Sequence, residues 1–123
     1  MKKIKYFLAL VIFVLLSLNA NAQRPVLTDD EQITETVTNE INELFQSKDF
    51  IKTKAKKFAD VQGSMTVDVG IIQNGKVATF FKVDSEIKNI NFINFMSDYI
   101  LDHKFKFKLQ KQQRYKVRYS ITF

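Results

Sequence analysis

Cysteine and tryptophan are missing from this 123-residue chain, which has one proline, one histidine and three glycines. Without cysteine there can be no disulfide, thiol nucleophile or zinc-thiolate cluster, nor the lipidated cysteine that follows the cleavage site of a lipoprotein. Three glycines could hardly supply a phosphate-cradling loop or a nucleotide fingerprint. With His103 as the only imidazole, a Ser-His-acid arrangement would need a distant serine to converge on it, and no G-x-S-x-G elbow exists. A lone histidine ending an apolar helix face reads as a capping or packing residue, since imidazole suits the negative C-terminus of a helix. Asp68 and Asp84 share one expected strand face, but they read as solvated charges rather than as an acid-base pair. No catalytic residue, cofactor or metal site is expected, and the protein is read as a non-enzyme.

Long hydrophobic runs are also scarce, and the one present is short. Lys2, Lys3 and Lys5 precede an apolar stretch from Tyr6 to Leu18, and Ala20-Asn21-Ala22 forms an A-x-A site before Gln23. These are the three parts of a secretory signal peptide in order, with cleavage expected after Ala22. The apolar run makes roughly 20 Å of helix, short of the roughly 30 Å hydrocarbon core, so no membrane span is expected to remain. The expected destination is the periplasm or the exterior. The remaining 101 residues suffice for one domain with one core, held by packing alone.

The formal charge of +6 falls to +3 without the three leading lysines, yet it is unevenly spread. Asp29 to Asp49 holds seven acids and one base, whereas Lys104 to Arg118 holds seven bases and no acid. Either the two segments face each other across the fold or the basic one meets an anionic ligand.

Gln23 to Leu27 reads as a frayed lead. Thr28-Asp29-Asp30-Glu31 has the T-x-x-E form of a capping box, and Ile33, Val37, Ile41, Leu44 and Phe45 then recur at helical spacing. Lys52, Lys54, Lys56 and Lys57 cluster around Ile51 and Phe58 in a turn followed by a second short helix or an irregular link. From Gly63 the period becomes two: Met65, Val67, Val69 and Ile71 alternate with polar residues, Asn74-Gly75 marks a hairpin, and a second strand runs from about Lys76 to Ser85.

A five-residue loop from Ile72 to Lys76 pairs Ile71 with Val77, Val69 with Thr79, Val67 with Phe81 and Met65 with Val83, leaving one nearly apolar face. That register puts Asp68 opposite Phe80 and Asp84 opposite Ser64. Phe80 then lies on the polar face, where it is either covered or exposed for a partner. Asparagines between Lys88 and Asn91 can cap a second amphipathic helix bearing Phe92, Phe95, Met96, Tyr99, Ile100 and His103. Phe105, Phe107 and Leu109 alternate with Lys106 and Lys108, and the rhythm returns as Tyr115, Val117, Tyr119, Ile121 and Phe123. The expected fold is α+β, in the order α-β-β-α-β, with helices on one face of an antiparallel sheet of three or four strands.

The glycine at Gly63, the alternation to Ile71, the Asn74-Gly75-Lys76-Val77 turn, Ser85, the Phe92 to His103 helix, Phe105-Lys106-Phe107-Lys108 and the closing Val117-Arg118-Tyr119-Ser120-Ile121-Thr122-Phe123 occur in order. This arrangement resembles the C-terminal domain of TonB proteins, the periplasmic module that engages outer-membrane transporters. The resemblance covers residues 63–123, with residues 23–62 as an acidic amphipathic helix and basic link in the same domain. The family proline after the aromatic-Lys stretch is Leu109 here, and the glycine of the next loop is Gln113. With no retained membrane helix and no proline-rich spacer expected, the resemblance is to a free-standing relative rather than to an energy-transducing TonB.

The resemblance implies a protein-interaction module of the Gram-negative envelope that binds a peptide or protein, such as an outer-membrane transporter, by adding a strand beside Tyr115 to Phe123. Tyr115, Val117, Arg118, Tyr119 and Ile121, with Phe80, Lys106 and Lys108, are the candidate contact residues. Homodimerisation through the same edge is a variant. The alternative is a small-molecule or polyanion-binding domain of cystatin-like or NTF2-like shape, with its pocket around Phe80, Phe92, Phe95 and Tyr99. Nucleic acid is not an expected partner, because the aromatics between the basic residues share the buried face instead of standing free to stack. Lysines on this face also guard an edge strand against aggregation.

Overall fold

The structure, a computed structural model, describes residues 24–123, so the expected signal peptide and Gln23 lie outside the described residues. Its elements are β1 (Val26–Leu27), α1 (Asp30–Phe45), α2 (Lys48–Lys57), β2 (Ser64–Ile71), β3 (Val77–Ser85), α3 (Ile90–Asp102), β4 (Lys108–Leu109) and β5 (Tyr115–Thr122). The architecture is α+β, with a three-stranded antiparallel sheet in the order β3-β2-β5 and a two-stranded parallel pair, β1-β4. No helix among the described residues is long and apolar enough to cross a membrane.

Each helix begins at a short polar side chain. Asp29, not Thr28, caps α1: its backbone is extended and its Oδ1 accepts from the Glu31 amide at 3.0 Å. A carboxylate one residue nearer the helix fits the exposed amides and the positive end of the macrodipole better than the threonine hydroxyl. Ser47 caps α2, which settles the basic segment as a helix, and Asn89 caps α3 through the Phe92 amide at 3.1 Å. From α1, Ile33, Val37, Ile41 and Phe45 are buried, and from α3, Phe92, Met96 and Ile100.

The hairpin loop has the expected length, with the Ile72 amide donating to the Lys76 carbonyl at 3.0 Å and Ile71 opposite Val77. Beyond that pair the expected register fails. Two bulges intervene, so that Gly70 faces Thr79, Val69 faces Phe80, Asp68 faces Phe81, Val67 faces Lys82, Thr66 faces Asp84 and Met65 faces Ser85. A bulge adds one residue to one strand and reverses the facing of all that follows it. Here the first bulge turns Phe80 inward against the core and leaves Phe81 62% exposed, while Val83 is 43% exposed.

The lead is tied down rather than frayed. Val26 and Leu27 pair in parallel with Lys108 and Leu109, the Lys108 amide donates to the Pro25 carbonyl at 2.8 Å, and Leu27 is buried. Arg24 donates to the Asn74 and Phe105 carbonyls at 2.7 and 3.0 Å, pinning the hairpin loop to the segment after α3. Gly75 makes this approach possible: its φ is +83°, and a Cβ there would lie 2.4 Å from the Phe107 carbonyl oxygen. Phe105, Phe107 and Leu109 are buried, as their alternation implies, but only Lys108 and Leu109 form a strand.

The acidic and basic segments meet at Glu40 and, through Tyr115, at Asp30 and Thr34, but not as two facing rows of charge. Glu40 is buried, accepts from the Lys106 amide at 3.2 and 3.3 Å, and lies 3.0 Å from His103 Nε2. His103 is the C-cap of α3 and packs edge-on to Phe105. Among the described residues no acid of the Asp29 to Asp49 segment forms an ion pair with the basic side chains of Lys104 to Arg118, because Lys106, Lys108 and their neighbours stand in solvent.

Candidate functional site

β5 forms one edge of the three-stranded sheet and pairs with β2 over eight consecutive residues without a bulge. Its alternation sends Val117 and Tyr119 into the core, with Tyr115 and Ile121 half-buried beside them, while Lys116, Arg118, Ser120 and Thr122 are exposed on the other face. The Tyr119 hydroxyl reaches Asn42 of α1, and Tyr115 donates to the Asp30 carbonyl at 3.2 Å and lies 3.3 Å from Thr34 Oγ1. Burial pushes the Tyr119 phenol up to about 12.

The direction of the backbone groups follows from one pair. Gly63 and Phe123 exchange both hydrogen bonds, at 2.9 and 3.2 Å. In an antiparallel ladder such pairs alternate with pairs whose amides and carbonyls point away. Met65-Ile121, Val67-Tyr119, Val69-Val117 and Ile71-Tyr115 are therefore the bonded pairs. The N–H and C=O groups of Lys116, Arg118, Ser120 and Thr122 face outward along the free edge, and none has a backbone partner among the described residues.

Side chains on the open face stiffen this edge. Thr122 and Ser120 form hydroxyl hydrogen bonds with Ser64 and Thr66 at 2.8 and 3.0 Å. Arg118 grips Asp68 through two nitrogens, Nε at 2.9 Å and Nη2 at 3.2 Å. The Arg118 guanidinium holds the Asp68 carboxyl below its ordinary value, chiefly through these hydrogen bonds, and the pair raises Arg118 in turn. Asp68 is thus a buried, paired carboxylate rather than a solvated one, and Asp84 lies opposite Thr66 rather than Ser64.

The structure brings Tyr115, Val117, Arg118, Tyr119 and Ile121 together on β5 but separates the other three candidates from them. Phe80 is on β3, the far edge across β2, and turns inward. Lys108 lies in β4 and Lys106 just before it, outside the three-stranded sheet. The open face has an apolar residue the sequence reading had placed in the core: Phe81, directly opposite Asp68, which itself faces Arg118. Only the bulges reveal it, and nothing in the sequence signals them.

The region proposed for a ligand pocket is filled by rings. Phe92 stacks edge-on to Phe58 and Phe123, and Phe95 packs against Phe50, Phe58 and Tyr99 at centroid distances of 5.0 to 5.2 Å. Among the described residues no three acidic or histidine side chains come close enough to hold a metal ion. Comparison of the chain with protein-family models, with curated proteins and with solved structures found no match.

Proposed function

We propose that this protein is a non-catalytic, exported interaction module of the envelope that binds a peptide or protein partner by strand addition along β5, in the manner of the TonB C-terminal domain it resembles. One observation carries the reading: β5 is an eight-residue edge in unbroken register, with four residues turning their hydrogen-bonding groups to solvent. Edges of this kind are usually blunted. The opposite edge, β3, is interrupted by two bulges, whereas β5 has neither bulge nor proline, and its last half carries only Ser120 and Thr122 outward. An added strand would lie beside Lys116 and Arg118 on the open face and beside the Thr34 and Asn42 flank of α1 on the other.

Amide exchange with and without candidate transporter peptides tests this proposal. Lys116, Arg118, Ser120 and Thr122 should gain protection on binding, while Val117 and Tyr119, already bonded to β2, should change little. An unchanged pattern with every peptide would refute strand addition. Ser120→Pro gives a second check, since its amide has no ladder partner and edge proline is tolerated there. Compared with Ser120→Ala, which also lacks the hydroxyl bonded to Thr66, the variant should lose about ten-fold in peptide affinity, one net hydrogen bond, with little further change in its unfolding midpoint.

A further inference from the structure

We propose that α2 is a second binding surface, which docks on an anionic lipid bilayer. The helix has six lysine or aspartate residues in ten positions, and its outward face is ordered. Lys48, Lys52 and Lys56 lie at i, i+4 and i+8, forming one exposed stripe. Ile51 and Ala55 form the adjacent stripe, with Ile51 54% exposed. The apolar stripe opens into a groove of about 370 Å³, lined by Phe45, Phe50, Ala59 and Phe123 as well as Ile51 and Ala55.

Two observations set this face apart from an ordinary solvated one. Like charges at i, i+4 oppose helix formation, and among the described residues none of the three lysines has an ion-pair partner to offset this. Lys54, between the stripes, does have an internal role. Its Nζ donates to the Val61 carbonyl at 3.2 Å and lies 5.7 Å from the Phe123 ring, capping the groove floor. The only acid on the helix, Asp49, is turned away and accepts from the Tyr99 hydroxyl.

Charge complementarity requires an anionic occupant, and the apolar stripe beside the lysines requires one that is also greasy. A bilayer of anionic lipid supplies both: ammonium groups reach the headgroups on flexible stems while Ile51 and the groove meet the acyl boundary. The face offers no array of fixed hydrogen-bond donors to read an acidic peptide, only compact point charges suited to a fluid surface. Orientation agrees, since Phe50, roughly opposite Lys48 and Lys52 on the helix, is held in the core.

Flotation of the mature protein, from Gln23 on, with vesicles of phosphatidylcholine alone, and with equimolar phosphatidylcholine and phosphatidylglycerol, tests the proposal. Without Lys2, Lys3, Lys5 and the apolar run from Tyr6 to Leu18, which would bind anionic vesicles by themselves, differences between variants report on α2. Binding to the anionic vesicles should exceed binding to the neutral ones and weaken with salt. K48Q/K52Q/K56Q should lose about a hundred-fold, at about five-fold per lysine. Ile51→Ser should lose several-fold with its salt dependence intact. Both variants should keep the native unfolding midpoint or better, and both should still bind a β5 peptide if one is found. Anionic binding insensitive to either variant would overturn the proposal, as would capture of a poly-glutamate peptide, lost in the triple variant, by a protein that ignores the vesicles.

Discussion

Replacing Phe50 by alanine should be among the most damaging single changes in the described domain. The ring is 1% exposed and is surrounded by four others: Phe45 at 4.8 Å, Phe95 at 5.2 Å, Tyr99 at 5.3 Å and Phe123 at 6.1 Å between centroids. Phenylalanine to alanine in a core costs about 3–5 kcal/mol, with the cost set by how far the surroundings can collapse into the space. Here the neighbours come from α1, α3 and the C-terminal end of the chain, three parts that cannot all move toward the gap, so we expect about 4 kcal/mol. With a urea slope of about 1–2 kcal/mol/M for a domain of this size, the unfolding midpoint should fall by roughly 2–4 M. The assay is equilibrium urea unfolding followed by circular dichroism, with Phe50→Leu as the control that keeps most of the volume. A fall of less than about 0.5 M for the alanine variant, at unchanged slope, would refute the packing argument and detach α2 from the core.

Three further outcomes follow from particular residues. Asp68→Asn should destabilise the protein at neutral pH and flatten its acid response. The native pair contributes fully above the ordinary carboxylate value of about 4 and is lost as pH falls through the depressed folded value, so urea midpoints at pH 7 and pH 3 should differ more in the native protein. Gly75→Ala should cost at least about 1 kcal/mol, because it combines a positive φ with a Cβ driven into the Phe107 carbonyl, and thermal unfolding would detect the shift. An absorbance titration should show one tyrosine ionising near 12 that disappears in Tyr119→Phe. The phenol's raised value also means that stability falls as pH climbs from the unfolded value near 10 toward 12.

How far the sequence could be read depended on whether a feature is periodic. The helix faces are periodic: Ile33, Val37 and Ile41 on α1, and Phe92, Met96 and Ile100 on α3, are buried as their spacing implies. So is β5, whose alternation survives in the structure because nothing interrupts its ladder with β2. β3 carries equally apolar residues, yet Phe80 and Phe81 exchange roles there. A run such as Ala78-Thr79-Phe80-Phe81 can take either facing, and bulges cost too little to leave a compositional trace.

Capping was legible in kind but off by one residue at Thr28, since adjacent Asp29 competes for the same amides. The tertiary contacts of Arg24 and Glu40 were hidden, because each bridges 50 residues or more and neither lies in a local motif. The loop after β4 shows a related limit. Its left-handed residue is Gln112, at φ 66°, beside the position the TonB pattern gives to glycine, and a glutamine there leaves no sign of the turn in the sequence.

If β5 pairs with a second copy of itself rather than with a different partner, the side chains restrict the register. Antiparallel pairing centred on Arg118 sets one guanidinium against another, although the two are already committed to Asp68 and exposed beside Lys116. Centring on Ser120 places Lys116 opposite a position beyond β5, which closes at Thr122. Centring on Tyr119 pairs Lys116 with Thr122 and Arg118 with Ser120, uses all four outward residues and opposes no like charges. On the inner face the same register sets Val117 against Ile121 and Tyr115 against Phe123. A self-pairing edge would therefore be most regular about Tyr119, and a Lys116→Glu change, opposite Gly70 and breaking no ion pair, would leave that register free of like-charge pairs. A heterologous acidic strand lying beside Lys116 and Arg118 would instead be repelled by the same change, so the sign of its effect separates the two modes of strand addition.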